Sequence, residues 1–168
     1  MSDAVTQHKA DAPISISCAV VTVSDTRTLE TDRGGGLVCE FLSNAGHRID
    51  VREIIKDDPA VMSRLIGELK QSSIQAILMT GGTGITARDQ TYETVSGLLT
   101  KPLPGYGELF RMLSFEEIGA AAMLSRAIGG VIDTTIVLTM PGSTAAVRLA
   151  MERLIIPELP HLVQQATK

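Results

Sequence analysis

The chain has no tryptophan, and aromatic residues of every kind make up only 3% of it. Its core must therefore be built from Val, Ile, Leu, Ala and Met. The same scarcity removes the ring platforms on which single-stranded nucleic acids stack. Cysteine is scarce too: Cys18 and Cys39 are the only two, too few for a disulfide framework. Cys18 falls in an apolar strand pattern and Cys39 in a helical one, with no histidine motif beside either. Reduced, buried or half-buried thiols are expected there, not a nucleophile. No block of like charge occurs and the net charge is −4, which argues against duplex DNA as the main partner. A small anion is still allowed, because backbone amides and a few arginines can hold one locally. No apolar run approaches membrane-spanning length, and residues 1–13 lack the apolar stretch of a signal peptide. They read as a disordered tail on a cytoplasmic protein.

What is present is a globular composition, 44% apolar and 20% charged, so residues 14–168 suit one domain with a sizeable core. Two hydrophobic periods alternate along it. Ile16 to Val23, Val51 to Ile55, Ile74 to Met79 and Thr135 to Thr139 are short β-branched or apolar runs that predict strands. Between them, Leu37, Val38, Phe41, Leu42 and Ala45 recur at helical spacing, with Gly46 as the stop. Asp58-Pro59 reads as an N-cap followed by proline at the first helical position. A helix is predicted from about Thr91 to Leu99, ended by Pro102 and Pro104. Ser114 to Glu117 fits a capping box for a helix over Ile118 to Ala127. A further helix should follow Ser143, and Pro157 and Pro160 punctuate a short last one. Tyr106 and Phe110, at helical spacing, read as core or interface.

Alternation of strand and helix predicts an α/β fold in three layers, a mostly parallel sheet with helices on both faces. Ligands of such sheets sit at the carboxyl ends of the strands. The third of these loops, Met79 to Asp89, contains Gly81-Gly82-Thr83-Gly84 and reads as a phosphate cradle opening a helix. It formally matches the dinucleotide fingerprint, but it follows the third strand and no acidic residue ends the next strand. It lacks the Gly-Lys-Ser/Thr of a Walker loop. The second loop holds Asp57, for which capping gives no explanation because Asp58 takes that role. Asp57 and Asp89 would set two carboxylates on neighbouring loops, a donor set suited to Mg²⁺ with substrate phosphates. Asp89 has a second reading, as the cap of the next helix. Ser24, Asp25, Arg27 and the run Gly34-Gly35-Gly36 in the first loop suit either an anion site or a flexible connection. Pro141-Gly142-Ser143 offers an anion site or a well-capped helix start. Arg88, Arg27 and Lys56 are the candidate counter-charges. His8, His47 and His161 have no ligand spacing.

Several ordered motifs carry a more specific signal. They are Val23-Ser24-Asp25-Thr26-Arg27, Thr80 to Gly84 with Arg88-Asp89, Pro104-Gly105-Tyr106-Gly107-Glu108, Phe110 to Gly119, Leu124-Ser125-Arg126 and Met140-Pro141-Gly142-Ser143. In this order they resemble the MoaB/MogA family of molybdenum cofactor biosynthesis, over nearly the whole chain after Pro13. The resemblance implies a molybdopterin-binding fold that assembles as a homotrimer or hexamer and works with other proteins of that pathway. It also implies adenylylation of molybdopterin by Mg-ATP in active members, whose two essential aspartates fall on Asp57 and Asp89. Gly81, Gly82, Thr83 and Gly84 would then hold the pterin or phosphate end, with Ser24, Asp25, Arg88, Ser125, Pro141, Gly142 and Ser143 around the same pocket. Tyr92 departs from the proline that adenylyltransferases commonly carry after Asp-x-Thr. The alternative is a paralogue that binds molybdopterin without adenylylating it.

Overall fold

The computed structural model describes Pro13 and residues 15–168. The expected tail over residues 1–13 lies, Pro13 apart, outside the described residues, as does His8. Six strands form one sheet: β1 (Ser17–Val23), β2 (Arg48–Ile55), β3 (Ala76–Thr80), β4 (Lys101–Pro102), β5 (Gly129–Ile132) and β6 (Thr135–Met140). Their spatial order is β2-β1-β3-β6-β5-β4. The first four neighbours run parallel, while β5 is antiparallel to β6 and β4 to β5. The α/β expectation therefore holds, with an antiparallel edge that the sequence pattern did not announce.

Strands β1, β3 and β6 are buried along their whole length, which is why they read as unbroken apolar runs. Successive side chains point to opposite faces, so Cys18 and Val20 join one core while Ala19, Val21 and Val23 join the other. The first core is closed by α1 (Arg33–Asn44), α4 (Pro104–Ile118), α5 (Thr144–Ala150) and α6 (Ile156–Ala166). The second is closed mainly by α2 (Pro59–Lys70) and α3 (Thr91–Leu98). Cys18 is fully buried, its thiol pushed up to about 12 first by burial, and Cys39 is half-buried with its pKa also raised by burial. Neither is poised as a nucleophile.

Local signals decide the helix ends. The Asp58 carboxylate accepts from the amides of Ala60 and Val61, with Pro59 in the first turn of α2. Ser143 caps α5 through Ala146. Three expectations are corrected. Gly34-Gly35-Gly36 is not a flexible connection; it is the first turn of α1, capped by the buried Asp32, which accepts from the Gly35 amide and the Thr22 hydroxyl. A Cβ on Gly35 would stand 2.2 Å from Asp32 Oδ2 and 2.5 Å from Thr22 Oγ1, so the helix start needs glycine there. Ser114 to Glu117 is not a capping box but the last part of α4, which starts with Pro104 and ends at Gly119 with φ of 61°. A short 3-10 segment, Gly119–Leu124, replaces the helix expected to Ala127. Finally, the last helix is not short. A π-helical turn, Met151–Ile155, joins α5 to α6 and lets the chain continue past Pro157 and Pro160.

Among the described residues no helix is long and apolar enough to cross a membrane. Tyr106 packs on the first core and donates its hydroxyl to the Thr139 carbonyl, and Phe110 is fully buried within it.

His47 generates a pH-dependent stability. It is buried, its Nδ1 accepts from the Ile16 amide at 3.3 Å, and burial lowers its pKa below the ordinary histidine value of 6.5. The unfolded chain binds a proton near pH 6.5 that the folded chain refuses, so stability falls as pH drops from that value toward the depressed folded one. Thermal unfolding followed from pH 7.5 to about 5 should show a decline that His47→Gln makes shallower. An equal slope in both proteins would remove His47 from that role.

Candidate functional site

The sheet order sets β1 beside β3, and the chain leaves their carboxyl ends in opposite directions, from β1 toward β2 and from β3 toward the side of β6, β5 and β4. That is the switch point at which open α/β sheets bind ligands. A cavity of about 910 Å³ opens there, lined by the ends of β1, β3 and β6 and by the start of α1. Thr22 to Ser24, Thr80 to Gly84, Asp89 and Pro141 to Thr144 form much of its wall.

The glycine turn is fixed from several directions. The Gly81 amide donates to the Met140 carbonyl at 3.1 Å, and the Gly82 carbonyl accepts from the Thr91 amide at 3.0 Å. Gly81 and Gly82 have φ of 95° and 62°, the region where a side chain is strained. A Cβ on Gly81 would lie 2.3 Å from the Val23 carbonyl oxygen. A Cβ on Gly82 would meet Thr91 Oγ1 at 2.2 Å and Asp57 Oδ2 at 2.6 Å, and one on Gly84 would meet Asp89 Oδ2 at 2.6 Å. Absence of these side chains therefore admits the two aspartates to the turn itself.

The carboxylates differ in their surroundings. Asp89 does not cap α3, whose N-cap is Gln90 with no side-chain hydrogen bond. It turns back into its own loop and accepts from the Thr86 hydroxyl at 2.6 Å and the Thr86 amide at 2.9 Å. Those bonds, the Thr86 hydroxyl foremost, hold its pKa below the usual carboxylate value. Asp57 Oδ1 accepts from the Gln90 amide at 3.1 Å. Burial raises the Asp57 pKa, and the charges of Asp89 and Asp25 push it the same way, against the Gln90 amide and Arg88. Carboxylates that repel one another across a glycine turn make a local site for positive charge. Among the described residues no group of three or more His, Cys, Asp or Glu could hold a metal ion. A divalent cation here would take the hard oxygens of Asp57 and Asp89 and complete its shell from substrate and water, the ordinary behaviour of Mg²⁺.

The other expected residues separate into two groups. Ser24, Gly81, Gly82, Thr83, Gly84, Asp89, Pro141, Gly142 and Ser143 line the cavity. Asp25, Asp57, Arg88 and Ser125 do not line it. Asp25 and Arg88 form an ion pair that ties the first loop to the third. Ser125 is buried and its amide donates to Ala122. Arg27 lines the cavity and donates to the Thr31 carbonyl at 3.2 Å. Two contributors were missed from the sequence, Thr80, whose hydroxyl reaches the Pro141 carbonyl at 3.3 Å, and Arg126. Arg126 donates from Nε to the Thr83 carbonyl at 3.0 Å, also binds the Gly84 carbonyl, pairs with Glu93 and lies 5.1 Å from the Tyr92 ring centre. Its partners are 42 and 43 residues away in the chain, a separation to which no periodicity or spacing rule applies.

A family model described as "Probable molybdopterin binding domain" matches residues 19–161. The chain belongs to this molybdopterin-binding family. Molybdenum cofactor biosynthesis protein B of Bacillus cereus is 52% identical over 160 residues, covering 94% of this chain and 95% of the relative. A crystal structure of a molybdenum cofactor biosynthesis protein B is 50% identical with a TM-score of 0.90, over 94% of this chain and 99% of that one. The tungsten cofactor synthesizing protein MoaB of Pyrococcus furiosus is 34% identical with a TM-score of 0.85, over 94% of this chain and 100% of that one. The match to the family spans both the switch-point cavity and the glycine turn, so the MoaB/MogA-like fold and the site belong to the same domain.

The turn's geometry is testable by substitution. Gly81→Ala should cost about 1–3 kcal/mol or more, because it adds both a clash with Val23 and a strained φ. Gly97→Ala, in α3 with nothing within 4 Å of its would-be Cβ, should be neutral or stabilise by up to about 1 kcal/mol. Denaturant midpoints at constant slope would compare them; equal behaviour of the two would contradict the packing described.

Proposed function

We propose that the protein is a molybdopterin adenylyltransferase, and the observation that carries this reading is the approach of Asp57 and Asp89 to alternate glycines of one turn. In the reaction a phosphate oxygen of molybdopterin attacks the α-phosphorus of ATP. A new phosphorus–oxygen bond forms, the bond from the α-phosphorus to the bridging oxygen breaks, and pyrophosphate leaves. Such transfers need positioning and stabilisation of charge on phosphate oxygens, not a side-chain nucleophile. The unreactive surroundings of Cys18 and Cys39 agree with that. Asp57 and Asp89 would hold Mg²⁺, which when bound neutralises phosphate charge and orients the triphosphate. The backbone of Gly81 to Gly84, with Ser24 and the Pro141-Gly142-Ser143 turn, would hold the pterin phosphate and keep it against the α-phosphorus. Asp25 and Arg88 would brace the first loop against the third.

The same reading includes a homo-oligomer, a trimer or a pair of trimers. Its support is the apolar surface of α4 and the segment after it, where Met112, Phe115, Ile118 and Met123 are each more than half exposed. A patch of large apolar side chains on one face is the usual mark of a subunit interface.

Purified protein supplied with molybdopterin, MgATP and pyrophosphatase should produce adenylylated pterin. Asp57→Asn and Asp89→Asn should each lose about a hundredfold or more in turnover while still binding pterin, the scale of removing one electrostatic stabiliser. Full activity in either variant would sink the assigned roles. Pterin binding with no product and no Mg-dependent ATP binding in calorimetry would assign the chain to the non-catalytic paralogues instead. For assembly, light scattering should report a mass of three or six chains, and Phe115→Glu should reduce it; a monomer at every concentration would refute the oligomer.

A further inference from the structure

Arg126 stands in the chain between the 3-10 segment and β5, outside the loops that form the cavity wall. Its side chain is 22% exposed, an uncommon degree of burial for a guanidinium. Four of the five N–H donors of the guanidinium are used: Nε binds the Thr83 carbonyl, Nη2 binds the Gly84 carbonyl, and Nη1 and Nη2 reach both oxygens of Glu93. The Tyr92 ring covers it at 5.1 Å. Tyr92 and Glu93 both belong to the first turn of α3, so one planar cation is braced by a helix and grips two consecutive peptide groups of the glycine turn.

A trans peptide is planar, with its C=O and N–H pointing in opposite directions. Drawing the Thr83 carbonyl toward Arg126 therefore turns the Gly84 N–H away from it. Asp89 Oδ2 stands 2.6 Å from where a Cβ of Gly84 would be, and the Gly84 amide is among the groups that hold the Asp89 pKa down. The grip on the Gly84 carbonyl fixes the next peptide, two residues before the Thr86 amide that also binds Asp89. Glycine allows these peptides to rotate freely, so something outside the turn must choose the orientation.

We propose that Arg126, braced by Glu93 and Tyr92, is a positioning residue that orients the Thr83 and Gly84 peptides so that the turn presents its amides to Asp89 and holds that carboxylate against the turn. This rests on the adenylyl-transfer reading for its consequence in turnover, but the placement itself is measurable without it. Tyr92 then has a role in this chain as the lid over the guanidinium.

The test uses full-length protein labelled with ¹⁵N. In Arg126→Lys, which keeps the charge but loses the fork, the Gly84 and Thr86 amide protons should shift and lose protection from exchange, while core amides of β1 and β3 stay as in the parent. Glu93→Gln, at an exposed position, should show the same local change to a smaller degree, and it carries the test should Arg126→Lys fail to fold. If the parent transfers adenylyl groups, kcat should fall about 10–100-fold in Arg126→Lys with the KM for pterin nearly unchanged, as for loss of a group that orients a metal ligand. Unmoved Gly84 and Thr86 resonances, or a loss of protection spread evenly over core and loop, would overturn the proposal. Local changes in a parent that makes no adenylylated pterin would leave the placement standing and discard the reaction.

Discussion

Carboxylate oxygens of Asp57 and Asp89 stand 2.6 Å from where Cβ atoms of Gly82 and Gly84 would be, with the Thr91 hydroxyl closer still to the first, and the rest of the site is arranged around that approach. Aspartates from separate loops can approach one backbone turn this closely only because the turn has no Cβ at those positions. The glycines were expected to let a ligand approach the backbone. Their first service is to the protein's own acids, and the ligand then meets a surface already carrying negative charge. That order of assembly makes a bare anion site improbable on electrostatic grounds and favours an anion that arrives with a cation. Burial and the neighbouring charges of Asp89 and Asp25 raise Asp57, whereas hydrogen bonds led by the Thr86 hydroxyl lower Asp89. The pair is thus asymmetric before any ligand arrives: Asp89 is firmly ionised and Asp57 is held at a cost that a divalent cation would relieve.

A strained turn keeps its shape only when its surroundings over-determine it. The bonds around this one differ in weight. The Asp25–Arg88 pair connects two loops, but Arg88 is 80% exposed, and an exposed pair contributes about 0–1 kcal/mol. Arg126 is shielded by Tyr92 and binds carbonyls of the turn directly, and hydrogen bonds to a charged group are worth about 1.5–3 kcal/mol. Gly81 is held by its amide hydrogen bond to the Met140 carbonyl, with the Val23 carbonyl oxygen only 2.3 Å from where its Cβ would be. Strands β1, β3 and β6 therefore clamp the turn from below while Arg126 clamps it from the side. The exposed ion pair can open without the turn changing shape.

Much of this framework was legible in the sequence. Unbroken apolar runs gave β1, β3 and β6 because a strand buried on both faces has no polar positions to interrupt it. Asp58-Pro59 and Pro141-Gly142-Ser143 gave helix starts because capping is a local interaction. Asp57 stood out by elimination, since its neighbour already explained the cap. What failed to show was decided by distant parts of the chain. Ser114 to Glu117 satisfies a capping pattern, yet Pro104 had already begun a helix whose buried face runs through Phe110, Leu113 and Ser114. The glycine run in front of Leu37 suited an anion site or a flexible connection equally, because nothing local reveals Asp32 and Thr22 packed against it. Strands β4 and β5, Lys101–Pro102 and Gly129–Ile132, are too short and too rich in glycine and proline to stand out from a loop.

Arg126 is the most instructive of the residues that were not legible. It lies in a motif that marked the family, but its neighbours in sequence give no role to a guanidinium. Its contacts join the start of α3 to the glycine turn across more than 30 residues, and they exist only after the sheet has brought β3 and β5 to the two sides of β6. A site whose electrostatics depend on two aspartates accordingly depends for its shape on a cation that only the tertiary fold brings to it. The sequence motif locates the acids, whereas the topology decides which way the peptides between them face. Chemistry that works by positioning is sensitive to the second as much as to the first.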